Sequence, residues 1–198
     1  MVVFGITGGS GSGKTSVSKM LEKLGVHIID TDVIAHEIVE PNSECLNELV
    51  DYFGDSILND DKTLNRKKLA SIAFSDKQKT EALSNITHKY IKAEVVKDIN
   101  TTDAELVGID GAVIIGSNVE PLCEFIVSVI ADKQSRITRI KTRDNITDEQ
   151  AIQRINAQND DEFYKENSMY IIYNNGDIAQ LESDVVVLFN KIKGNSFE

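Results

Sequence analysis

Five short apolar runs rich in valine and isoleucine punctuate the chain, at residues 2 to 6, 26 to 29, 106 to 109, 125 to 131 and 170 to 173. They are short and apolar on both faces, so they predict strands of a buried parallel sheet. The intervals carry helical periodicity. Between Lys14 and Leu24, residues Val17, Met20, Leu21 and Leu24 recur at i, i+3, i+4 and i+7 and make one apolar face. Strand alternating with helix predicts an α/β core.

Two intervals exceed a simple crossover. Residues 30 to 105 read as mostly helical, over Glu44 to Phe53, Arg66 to Phe74 and Lys77 to Ile99, and predict a helical lobe inserted into the core. Residues 133 to 166 predict a second helical stretch, crowded with charged and amide side chains, where a mobile lid would sit. Asp177 to Lys193 predict a closing helix whose first residue suits the helix dipole. The expected organisation is one domain: a core of approximately 1–30, 104–132 and 167–198, a helical lobe of approximately 31–103 and a lid of approximately 133–166.

Composition narrows the partners. The 198 residues suffice for one domain, and 21 Lys plus Arg against 32 Asp plus Glu give a net charge of −11. That charge repels nucleic acid and anionic membranes, so neither is expected as a partner, yet it does not exclude a small polyanion bound at a local cluster of cations. Cys45 and Cys123 lie far apart without disulfide or metal-site spacing, which fits a reducing cytoplasm. The apolar start, Met1 to Ile6, breaks at Thr7-Gly8-Gly9 and lacks the basic flank of a signal peptide. Nothing in the pattern defines an oligomeric state.

The strongest chemical signal follows the first strand. Gly8-Gly9-Ser10-Gly11-Ser12-Gly13-Lys14-Thr15 satisfies G-x-x-x-x-G-K-[ST] between a predicted strand and a predicted helix. This is the arrangement of a phosphate-binding P-loop. Glycines let successive N–H groups turn around a phosphate at a helix N-terminus. Gly11, Ser12, Gly13, Lys14, Thr15 and Ser16 are therefore expected to hold ATP, with Lys14 on the β- and γ-phosphates and Thr15 ligating Mg²⁺.

The second apolar run ends in Asp30-Thr31-Asp32. Ligands of an open parallel sheet bind beyond the carboxyl ends of its strands, so one carboxylate is placed to accept a proton from an attacking hydroxyl while the other orients a metal-bound water. Either could instead cap the helix that follows. From 133 to 154 the cations Lys133, Arg136, Arg139, Lys141, Arg143 and Arg154 outnumber the acids, reversing the balance of the whole chain. Arg136, Arg139 and Arg143 share one helical face, suited to closing over a triphosphate or to facing solvent.

On these residues the sequence resembles the dephospho-coenzyme A kinases along nearly its whole length. The matching elements are Gly5-Ile6-Thr7-Gly8-Gly9 with the P-loop, Ile29-Asp30-Thr31-Asp32-Val33-Ile34-Ala35, Phe53-Gly54, Leu64-Asn65-Arg66 with Leu69-Ala70 and Phe74, and Ile86-Thr87-His88. Arg139, Arg143-Asp144 and Arg154-Ile155-Asn156-Ala157-Gln158 complete the series. The resemblance implies a P-loop kinase with a helical acceptor lobe and a lid, phosphorylating the ribose 3′-hydroxyl of dephospho-coenzyme A, the last step of coenzyme A synthesis. It also implies Asp32 as base, Arg143 as lid arginine, Arg66 and His88 on the acceptor side, and Asn174-Asn175-Gly176 near the adenine. At 136 the family commonly carries glutamine, so Arg143 is expected to matter more than Arg136.

The chain also departs from the family pattern. Asp110-Gly111-Ala112-Val113-Ile114-Ile115-Gly116 stands where the family has Asp-x-Pro-Leu-Leu-Phe-Glu, His88-Lys89 replaces His-Pro, and Ser168-Met169 replaces Ala-Asp. Asp110 is retained as a candidate for Mg²⁺ through water or as a strand-end turn residue. The departures leave two rival readings open: a kinase for another nucleoside or nucleotide, and a P-loop protein without catalysis. A GTPase reading fails because Asn190-Lys191-Ile192-Lys193 lacks the aspartate of a guanine motif.

Overall fold

The computed structural model describes residues 1–195. In chain order the elements are β1 (Val2–Thr7), α1 (Lys14–Lys23), β2 (His27–Asp30), α2 (Thr31–Glu37), α3 (Glu44–Phe53), α4 (Arg66–Ala73) and α5 (Lys77–Thr101). There follow β3 (Leu106–Asp110), β4 (Phe125–Ile130), α6 (Lys133–Asp144), α7 (Asp148–Asn156), α8 (Asp161–Glu166), β5 (Tyr170–Tyr173) and α9 (Ile178–Asn195). Each predicted strand forms, and the sheet is parallel throughout in the order β2-β3-β1-β4-β5. The five-stranded α/β fold is the one expected.

The chain divides into two compact units, one of residues 1–30 with 102–198 and one of 31–101. In the first, alternate residues of β1 set the layers. Phe4 and Ile6 enter a cluster with Val17 and Leu21 of α1 and with Leu181, Val185, Leu188 and Ile192 of α9. These side chains are almost fully buried, and burying one Leu or Ile contributes about 1.5–3 kcal/mol. Residues 133 to 166 cluster with this unit, where α6 and α7 share a small core of Ile137, Ile140, Ala151 and Ile155.

Helix ends follow local chemistry. Asp132 caps α6 by accepting from the Ser135 N–H at 2.9 Å, and Asn145 ends that helix at φ 51°. Thr147 and Gln150 form a capping box on α7. Asp177 lies just outside α9 and accepts from the Gln180 N–H at 2.9 Å, so it caps the helix it was expected to open.

In the second unit, α5 is the spine against which α2, α3 and α4 pack. Its core draws on Cys45, Leu46, Leu49, Ile57, Leu69, Ala73, Ile86 and Val95, all buried. Ser43 caps α3 through the Leu46 N–H, and Asn65 caps α4 through the Lys68 N–H. No helix among the described residues is long and apolar enough to cross a membrane.

Candidate active site

β1 lies at the centre of its sheet, between β3 and β4. The chain leaves it at Thr7, turns through residues 8 to 13 and enters α1 at Lys14. Gly13, the residue before α1, has φ 96° and supplies no side-chain cap. The first-turn N–H groups of Lys14 and Thr15 are therefore presented at the helix N-terminus, where the dipole favours an anion.

What holds the loop in this shape lies on its outer side. The Ser10 carbonyl accepts from Arg136 Nε at 2.9 Å, and the Ser10 N–H donates to Gln158 Oε1 at 2.7 Å. Arg139 Nη1 reaches the Gly11 and Ser12 carbonyls, both at 3.3 Å. The Ser12 carbonyl also accepts from Asn174 Nδ2 at 2.7 Å. Arg139 Nη2 bonds the Asn174 carbonyl at 2.9 Å, so arginine, asparagine and loop form one network. These groups approach so closely that a Cβ on Gly11 would lie 2.7 Å from the Arg136 carbonyl oxygen, and one on Gly13 would strike Asn174 Nδ2. Glycine here makes room for protein as well as for phosphate.

Lys14 pairs with Asp110, at the end of β3, and both side chains are largely buried. Asp30 stands beside Asp110 in the β2–β3 register. Thr15 and Ser16 are exposed on the first turn of α1. The buried Ser12 hydroxyl has no hydrogen-bond partner among the described residues. A triphosphate fits this site: it would meet N–H donors, a lysine and an unsatisfied hydroxyl. Among the described residues no three His, Cys, Asp or Glu side chains gather as metal ligands. Mg²⁺ held mostly by phosphates and water needs fewer, and the Thr15 hydroxyl with the Asp110 carboxylate supplies the right oxygen chemistry.

Beside the loop, in the same unit, is a cavity of about 190 Å³ lined by Thr7, Ala112, Val113, Gln158, Phe163 and Tyr164 among others. Burial pushes the Tyr164 phenol above its usual pKa, and the nearby Arg136 charge opposes that rise.

The helical unit carries the other expected residues. Asp32 is exposed in the first turn of α2. A cavity of about 320 Å³ is lined by Arg66, Thr87 and His88 together with Val39, Leu69, Phe74 and other apolar residues. Arg66 Nη2 lies 2.9 Å from His36 Nδ1, and because guanidinium only donates, Nδ1 accepts. Arg66 and His88 thus share one largely apolar pocket. Lys89, the first departure in this unit, bonds Glu48 at 2.8 Å, and Tyr90 bonds the same carboxylate at 2.7 Å. Hydrogen bonds from Lys89 and then Tyr90 draw the Glu48 carboxyl below its usual pKa.

The three arginines predicted on one face separate by role. Arg136 and Arg139 hold the P-loop, whereas Arg143 is exposed and binds Asp144 through Nε at 2.7 Å and Nη2 at 2.9 Å. Arg154 joins the same carboxylate. Arg143, with Arg154 assisting, holds the Asp144 pKa down at about 2. The Asn174 amide is spent on Ser12 and Arg139, while Gly176 is exposed in the turn before α9.

The family model for dephospho-CoA kinase (CoaE) matches residues 2–180. The chain belongs to the dephospho-CoA kinase family. It is 34% identical to the dephospho-CoA kinase of Listeria monocytogenes serovar 1/2a over 96% of this chain and 97% of that one. The dephospho-CoA kinase of Lactobacillus johnsonii is also 34% identical, over 95% of this chain and 96% of that one. Among solved structures, the dephospho-CoA kinase from Campylobacter jejuni superposes with a TM-score of 0.69 at 26% identity, covering 98% of each chain. A Thermus thermophilus protein superposes with a TM-score of 0.82, at 24% identity and covering 96% of this chain and 97% of that one; it shares the fold. The protein is therefore a kinase, a phosphotransferase of coenzyme A synthesis.

The motifs marked the phosphate site but gave no role to Arg139, Gln158 or the Asn174 side chain as holders of loop carbonyls and amides. A signal existed for the arginines, since spacing put them on one helix face. Their target was set by which way α6 lies on the loop.

Proposed function

We propose that this chain transfers the γ-phosphoryl group of ATP to the ribose 3′-hydroxyl of dephospho-coenzyme A. The observation that carries the reading is the loop of residues 8 to 15, braced from outside by Arg136, Arg139, Asn174 and Gln158 and opening its N–H groups at the start of α1. Lys14 and the N–H groups of Gly11, Gly13 and Thr15 bind the phosphates, with Ser12 and Ser16 beside them. Thr15 and Asp110 hold Mg²⁺, which when bound spreads the charge of the transferring group. Asn174 serves nucleotide binding by fixing Ser12, and the Gly176 turn faces the base.

Asp32 holds the acceptor hydroxyl and takes its proton. Its support is its place two residues after the carboxyl end of β2, the sheet end where α/β folds bind ligands. Arg66 and His88 bind the acceptor in the apolar pocket they line, a lining that suits a long, partly apolar molecule with anionic groups. Arg143 leaves Asp144 to neutralise charge on the transferring phosphoryl. The domain plan carried forward is a nucleotide core, an acceptor lobe of 31–103 and a lid of 133–166. A cytoplasmic setting is supported by two free cysteines.

The test is ADP formation from MgATP with dephospho-coenzyme A, beside adenosine, AMP, uridine and pantothenate. Preference for another acceptor would reject the substrate, and no transfer to any would reject catalysis. Asp32→Asn should lower turnover by roughly 10²–10⁴ with little change in MgATP affinity. Lost affinity with unchanged single-turnover chemistry at saturation would make Asp32 a metal-site residue instead.

A further inference from the structure

Arg136 is the most deeply placed cation of the lid stretch, 6% exposed. A buried guanidinium is costly unless paired, yet the carboxylate nearest to it among the described residues is Asp161, at 3.8 Å and itself 44% exposed. Its close contacts are neutral: the Ser10 carbonyl at 2.9 Å and Gln158 Oε1 at 3.3 Å. The site therefore holds a largely desolvated positive charge against the backbone of the phosphate loop, its shorter bonds going to the loop and to Gln158 and its ion pair to the half-exposed Asp161.

The direction of these bonds matters. In a planar trans peptide the C=O of one residue and the N–H of the next point opposite ways. Arg136 draws the Ser10 carbonyl to its own side, so the N–H of Gly11 faces the other side. Gln158 takes the Ser10 N–H and fixes the preceding peptide as well. Gln158 also accepts from Arg136, which ties the two holders together. Both flanking peptides of Ser10 are thus locked at the tip of the loop.

We propose that Arg136 and Gln158 are paired positioning residues that aim the Gly11 N–H at the nucleotide's phosphates, acting from the opposite side of the loop. This inference rests on the proposed use of MgATP.

The experiment measures MgATP affinity by calorimetry, apo melting temperature, and the Gly11 amide resonance with and without MgATP. It uses the full chain and the variants Arg136→Met, Arg136→Lys, Gln158→Leu and the Met/Leu double variant. Loss of a hydrogen bond to a charged group predicts an affinity fall of roughly 10–100-fold for Arg136→Met, with acceptor KM unchanged. Gln158→Leu should lose less. The double variant should bind little worse than Arg136→Met, because both residues act on one segment. Arg136→Lys should recover little, since an ammonium cannot span Ser10 and Gln158 as a planar fork does. The ligand-induced shift of the Gly11 resonance should shrink in each variant.

Unchanged MgATP affinity in folded Arg136→Met would overturn the inference, as would full rescue by lysine or strictly additive losses. Should Arg136→Met fail to fold, Gln158→Leu decides by the same affinity and Gly11 readouts, because Gln158 is only partly buried. Wild-type protein that binds no MgATP would overturn the proposed function too, which separates the two failures.

Discussion

At the residue scale, Lys14 and Asp110 show how one side chain serves both folding and chemistry. Their contact is largely out of water, and removing one partner of such a pair costs about 3–5 kcal/mol because the other charge stays buried. Lys14→Ala should therefore do two things. Turnover should fall roughly 10²–10³-fold from loss of a cation at the developing charge, and the apo protein should melt at a lower temperature. Adding Asp110→Asn should restore much of the melting temperature without restoring turnover. A Lys14→Ala protein that melts like wild type would mean that Asp110 finds compensation elsewhere. Near-normal turnover would remove Lys14 from the mechanism.

At the element scale, α6 carries arginines with different tasks. Arg136 and Arg139 are committed to the loop, and Arg143 sits near the helix end on Asp144. Arg143→Ala should lower turnover with little effect on MgATP affinity, whereas Arg136→Met should act mainly on affinity. Lysine at 143 should rescue poorly for want of a bidentate fork. The same substitution has a pH signature. Asp144 is held at about 2 in the folded chain, chiefly by its Arg143 hydrogen bond, against a usual value of 3.8. A depressed carboxyl pKa stabilises the fold above the unfolded value and loses that contribution as pH falls through the folded one. The contribution of the Arg143–Asp144 pair should fade between pH 3.8 and about 2. Carbon-detected NMR titration should show Asp144 moving upward in Arg143→Ala. An unmoved value would assign the depression to Arg154.

At the scale of the whole molecule, the strand order decides where stability and function meet. β1 is central and delivers the P-loop, β3 and β4 flank it, and β2 and β5 are the edges. Amide exchange should be slowest in β1, β3 and β4, since their bonds open only with the sheet, and faster in β2 and β5. Equal protection across all strands would contradict this ordering. The helical unit of 31–101 has its own core, so its amides should exchange with a separate and lower protection limit. One shared limit would show that the units unfold together.

Strand positions and the helix over 44–53 were legible because burial on both faces and a period of 3.6 leave marks in a short window. The phosphate loop was legible because its chemistry needs glycine, lysine and a hydroxyl at fixed spacing. Sequence alone also fixed the acidic balance and the cation-rich stretch at 133 to 154. It did not yield the strand order, since apolar runs carry no address for their neighbours. Nor did it yield the division of labour among Arg136, Arg139 and Arg143. That depended on contacts across more than a hundred residues, Arg136 to Ser10 and Arg139 to Ser12 among them. Periodicity can place a side chain on a helix face, but only the packing of that helix decides which backbone atom the side chain meets.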